Sequence, residues 1–73
     1  MNYTAFLVSD PAILLGKPVV KGTRISVAFI LKRLSEGATY MDLMEAYPVL
    51  NLEAIYAVLA YAADVVRNEA IID

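Results

Sequence analysis

The spacing of apolar residues changes character at Ser26. Beyond it, Val27, Ile30, Leu31 and Leu34 recur at intervals of three and four, which gathers them on one face of a helix and leaves Phe29 and the Lys32-Arg33 pair off that face. Ser26 suits the N-cap, because its hydroxyl can accept a hydrogen bond from a free amide of the first turn. Gly37 marks the end, in the position where a left-handed residue closes a helix. Thr39, followed three residues later by Asp42, predicts a second helix with a near capping box. Met41, Leu43, Met44 and Tyr47 supply its apolar content, and Pro48 stops it. Asn51 then caps a third helix, predicted over 52 to about 68. Its main stripe is Leu52, Ile55, Tyr56, Leu59, Ala63 and Val66, and Val58, Ala62 and Val65 make nearly a second stripe. A helix apolar on most of its sides is expected to be buried on most of them.

Before Ser26 the pattern is shorter in range. Residues 4–8, TAFLV, favour an extended strand. Asp10-Pro11 interrupts the chain, and the apolar run 12–15 fits one helical turn. PVV at 18–20 and TRI at 23–25 read as two short extended pieces about Lys21-Gly22, where Gly22 can take a positive φ without steric cost. The predicted layout is a single domain over 1–73. A short β segment fills 1–25, three helices of roughly ten, nine and seventeen residues fill 26–68, and 69–73 form a tail. A short helix, a brief turn and a longer helix make the outline of a helix-turn-helix. The fold expected is therefore mainly α: a three-helix, homeodomain-like helix-turn-helix bundle with a short N-terminal β element.

Composition adds an expectation about assembly. Hydrophobic residues are 60% of the chain, which has 73 residues and no Cys or His. A chain this short buries only about 60% of its unfolded surface. With disulfides and the usual zinc or haem ligands excluded, association with a second copy is the remaining source of stability. A homodimer is expected, with Phe6 and Val8 from the β segment and Tyr56, Leu59 and Val66 from the third helix as candidate contacts. No apolar run approaches a membrane span, and MNYTAFLVSD lacks the basic start of a secretory signal, so a cytoplasmic protein is expected.

The net charge of −2 conceals a division. Residues 1–35 carry five cations against Asp10, a net of +4, whereas residues 36–73 carry Arg67 against seven carboxylates, a net of −6. Such a division suits an ordinary solvated surface, or one basic and one acidic face for a nucleic acid and a basic partner respectively. Catalysis is not expected: general acid–base and nucleophilic chemistry lean on His or Cys. Asp42 and Glu45, three apart, read as a solvated helix start. No metal or cofactor is implied.

GKPVVKGTRIS at 16–26 invites comparison with a phosphate-binding loop, but Pro11 stands where that motif needs its first Gly, and Pro18 follows the Lys. Double-stranded DNA is the stronger prospect. In a helix-turn-helix the second helix offers its first residues to base edges, here Asn51, Glu53, Ala54 and Ala57. Asn can read adenine and Glu can accept from cytosine; equally, Asn51 can serve only as a cap. Phosphate contacts would fall to Lys17, Lys21, Arg24, Lys32 and Arg33. The tyrosines Tyr40, Tyr47, Tyr56 and Tyr61 read as core or interface aromatics rather than stacking platforms.

Asp10-Pro11, the G-K-P-V-x-x-G-T-R-I pattern of 16–25, LSEGAT and AYPVLNLEAIYAVLAYA together resemble domain-of-unknown-function family 433 over about residues 6–66. The resemblance implies a helix-turn-helix domain similar to VapB-type antitoxins. Such proteins neutralise a PIN-like ribonuclease toxin by direct binding and often repress their own promoter as dimers. The function expected is thus that of an antitoxin of a toxin–antitoxin pair, binding a PIN-like toxin and operator DNA. The alternative is a protein–protein adaptor without a nucleic-acid role, favoured by the acidic C-terminal half.

Overall fold

The computed structural model describes residues 2–70. It is mainly helical, with three α-helices and a two-stranded antiparallel sheet. Strand β1 is Leu7–Val8 and β2 is Val19–Val20, paired Leu7 with Val20 and Val8 with Val19. The helices are α1 (Val27–Ser35), α2 (Tyr40–Ala46) and α3 (Leu52–Ala70), of nine, seven and nineteen residues. Residues 71–73 of the expected tail lie outside the described residues.

Each α-helix starts at the predicted cap. The Ser26 hydroxyl accepts the Phe29 amide at 3.0 Å. At α2 the capping box is complete: the Asp42 amide donates to Thr39 Oγ1 at 3.0 Å, and the Thr39 amide donates to Asp42 Oδ2 at 2.9 Å. The Asn51 side chain accepts the Ala54 amide at 2.8 Å. Helix α1 ends in a full Schellman motif. Gly37, at φ +98°, donates to the Leu34 carbonyl, and Ala38 donates to that of Arg33, both at 3.1 Å. Between α2 and α3 the Leu50 amide closes a turn onto the Tyr47 carbonyl at 2.9 Å, with Pro48 in the position that its fixed φ favours.

The N-terminal third departs from its expected form. Only Leu7–Val8 of the TAFLV run is strand; Tyr3–Ala5 is a 3₁₀ turn capped by Asn2, whose side chain accepts the Thr4 amide. The 12–15 turn also differs. Asp10 and Pro11 start a turn closed by the Ile13 amide, and then Leu14 and Leu15 take φ of +49° and +58° before Gly16 at +84°. Two successive non-glycine residues in the left-handed region cost on the order of 1–2 kcal/mol each. Past Gly22, the return segment 23–25 forms no ladder strand, and a single bridge to β2 follows it, between Val19 and Ser26.

Helix α3 is the element on which α1, α2, β1 and the Tyr3–Ala5 turn all pack. The core joins Leu7, Val20, Val27, Ile30, Leu43 and Leu50 to the inner face of α3. That face is Ala54, Ile55, Ala57 and Val58, with Tyr61 packed against it. It differs from the stripe that periodicity singled out: Ile55 belongs to both, whereas Leu52, Tyr56 and Val66 are exposed. Far along the chain, the Tyr3 hydroxyl donates to Asp64 Oδ2 at 2.9 Å, and the Tyr3 and Tyr61 rings meet edge to face at 5.4 Å. Acceptance by Asp64 holds the Tyr3 proton in place and raises its pKa above the usual 10.0.

Ile55 is fully buried, so Ile55→Ala is expected to destabilise the fold by about 2–5 kcal/mol in urea denaturation. A second expectation concerns alkali. The raised pKa of Tyr3 means that its hydrogen bond contributes fully below the unfolded value near 10.0, and is lost as pH rises through the folded value. Tyr3→Phe should therefore melt below the native protein at pH 7, and the gap between the two melting temperatures should close above pH 10.

Candidate nucleic-acid and partner interface

Much of the backbone of 16–26 is used in building a hairpin. The Val20 amide donates to the Ile25 carbonyl at 3.0 Å, and Val27 donates to Pro18 at 2.9 Å. On the other side of the same strand, Lys21 donates to the Phe6 carbonyl at 2.8 Å. Thr23 closes the turn onto Val20 at 3.0 Å, with Gly22 at φ +77° in the third position of a type II turn. The Thr23 hydroxyl both donates to the Val20 carbonyl and accepts the Ile25 amide. Gly16 and Lys17 donate to Ile13 and Leu14. With the amides of Gly16, Lys17, Val20, Lys21, Thr23 and Ile25 engaged within the fold, the side chains are the groups best able to grip phosphate or carboxylate.

Those side chains are well placed to act. Lys17, Lys21 and Arg24 are exposed on the hairpin and Lys32 and Arg33 on α1. Arg33 pairs with Glu36 at 2.9 Å across an exposed turn, whereas the other four make no ion pair among the described residues. Lys32 and Arg33 also lie in the last turn of α1, where a positive charge is favoured by the helix dipole. Arg24 and Arg33 flank two shallow hollows of about 360 and 310 Å³ that share Phe29 and Tyr47. These two rings meet edge to face at 5.6 Å. Phe29 was conspicuous in the sequence only as an aromatic off the apolar face of α1. Its pairing with Tyr47, from the end of α2, depends on how the helices pack.

The start of α3 has little to offer base edges. Ala54 and Ala57, expected to face a groove, are 3% and 0% exposed and belong to the core. They are small because α1, β1 and α2 close over them, and the expectation is corrected accordingly. Asn51 is exposed but spends its side-chain oxygen on the Ala54 amide, and Glu53 is an exposed acid in the first turn.

The expected dimer contacts divide into two groups. Tyr56, Leu59 and Val66 share one stripe of α3. Phe6 packs against the core and Val8 lies in β1, in a hollow with Tyr3, Pro18 and Tyr61. Tyr40 meets Tyr56 edge to face at 5.8 Å beside the stripe. Three acids of the C-terminal half have structural partners: Asp42 closes a capping box, Glu36 pairs with Arg33, and Asp64 accepts from both Tyr3 and Arg67. Among the described residues no group of three or more acidic side chains could hold a metal ion, and no helix is long and apolar enough to cross a membrane.

The match to the family described as Protein of unknown function (DUF433) runs over residues 7–62, and the chain belongs to that family. Among solved structures it is similar to a DUF433 member protein from Anabaena variabilis ATCC 29413, with a TM-score of 0.77 and 26% identity. The alignment covers 80% of this chain and 57% of the other, so this chain spans little more than half the length of that protein. No curated protein matches the chain.

If the cap is the main role of Asn51, Asn51→Ser should leave thermal stability nearly unchanged, whereas Asn51→Ala should cost about 1 kcal/mol. Equal losses in both variants, measured by circular dichroism melts, would contradict that role.

Proposed function

We propose that this protein is an antitoxin-like, dimeric helix-turn-helix protein of the cytoplasm that binds a PIN-like ribonuclease toxin and contacts its own operator DNA. The observation that carries the reading is the uncommitted basic set on the hairpin and α1: Lys17, Lys21, Arg24 and Lys32, none in an ion pair among the described residues. Unpaired, exposed cations gathered within one short segment favour phosphate oxygens or the carboxylates of a partner. The connection from α2 to α3, five residues from Tyr47 to Asn51, supports the helix-turn-helix description. The family resemblance supports the toxin as partner.

In this reading DNA is held through its phosphates by the hairpin and α1. The α3 start contributes Asn51 and Glu53 at most, because Ala54 and Ala57 are in the core. That same burial favours a second reading, a protein–protein adaptor whose basic hairpin meets an acidic partner and no nucleic acid.

The two readings part in a titration of the upstream promoter fragment at low and moderate salt. The first expects a complex at low salt. Lys21→Ala and Arg24→Ala should each weaken it on every sequence tried and reduce the salt slope by about 1. Absence of any complex at low salt would remove the DNA half of the first reading, and absence of a co-purifying ribonuclease as well would leave only the adaptor.

A further inference from the structure

Helix α3 carries two apolar faces: one is packed into the core, and the other stays largely exposed, with Tyr40 resting against Tyr56 at its edge. Ala54, Ile55, Ala57, Val58 and Tyr61 turn toward α1, α2 and β1. On the opposite side lie Leu52, Tyr56, Leu59, Ala63 and Val66, spaced four, three, four and three residues apart. This is the a/d repeat of a coiled coil, and the core-facing residues occupy the b, c and f positions behind it, with Ile55 at g on one flank. Leu52 is 38% exposed, Tyr56 45% and Val66 63%. Leu59 is half-buried yet does not pack against the core. The stripe runs about 21 Å along a helix that tertiary packing already holds in shape, so a partner need not induce the helix.

The charges beside the stripe indicate what covers it. Glu53 and Arg67 each follow a d residue, on the same flank, seven residues either side of Ala60. In an antiparallel pair of identical helices that flank meets itself reversed, so Glu53 of one copy faces Arg67 of the other, twice over. A parallel pair offers neither residue an opposite charge. Arg67 also pairs with Asp64 on its own helix, and its guanidinium has donors enough for both carboxylates. The geometry points to a second copy of this chain as the occupant, bound through an antiparallel α3–α3′ seam centred near Ala60. The inference rests on the dimer in the function proposed above, and adds its surface and direction.

The chain has no Cys, so introduced thiols are the only ones present. Glu53→Cys and Arg67→Cys chains, one of them tagged, are mixed and treated with a short bismaleimide. The mixed product should dominate. In sedimentation velocity, Arg67→Glu should weaken the dimer about tenfold, and Glu53→Arg/Arg67→Glu should restore it. Val66→Lys, at an exposed position that spares the fold, should weaken it about a hundredfold or more. A dominant Glu53→Cys self-product would overturn the antiparallel direction. A native dimer indifferent to Val66→Lys and unlinked in every mixture would overturn the seam while the dimer stands. A native monomer at all concentrations would overturn both.

Discussion

The structure depends on close approach to the first half of α3. Ala54 and Ala57 present almost nothing beyond backbone, and Ile55 and Val58 fill the space on either side. Because two of these four side chains are methyl groups, helices and strand can pack close to the axis of α3. Leu43, Leu50, Val27, Ile30, Leu7 and Val20 reach the same small volume from five different stretches of chain. A larger residue at either alanine would push those stretches apart together, since interiors packed this densely do not yield locally. The beginning of α3 is therefore committed to holding the domain together, and the exposed cations and the exposed apolar stripe lie on the hairpin, on α1 and on the far side of α3.

Local chemistry was legible in the sequence. Ser26, Thr39 with Asp42, Asn51, Gly22 and Gly37 all do what their residue types permit, because a cap or a turn is decided within four or five residues. The face of α1 was legible too, since only one of its sides is apolar. The inner face of α3 was not. Apolar residues surround that helix, so periodicity alone cannot say which of two stripes turns inward; the choice is made by partners up to fifty residues away. The same limit explains Tyr3–Ala5. A β-favouring run bends into a 3₁₀ turn, and Tyr3 reaches Asp64, 61 residues further on.

The site divides along the same line. That the glycines and Pro18 of 16–26 shape the backbone, and that the lysines and Arg24 are separate from that task, could be read from spacing. The left-handed pair Leu14-Leu15 could not, because a Leu gives no sign of positive φ. Its outcome is a leucine, Leu15, held 93% exposed next to the basic hairpin. The readings of Ala54 and Ala57 failed for a related reason: the motif comparison fixed their positions on a helix, and tertiary packing fixed which way they turned.

The corner between α1 and α2 has a consequence for how such a chain can diverge. Its angle is set by backbone hydrogen bonds at Gly37 and Ala38 and by the reciprocal Thr39–Asp42 pair, within four connecting residues. Hardly any of that depends on the side chains of Ser35, Glu36 or Tyr40. Substitution can therefore accumulate on the outer surface of the corner while the two helices keep their relation. Descendants of one ancestor could come to carry different surface chemistry, and so different clients, on an unchanged frame.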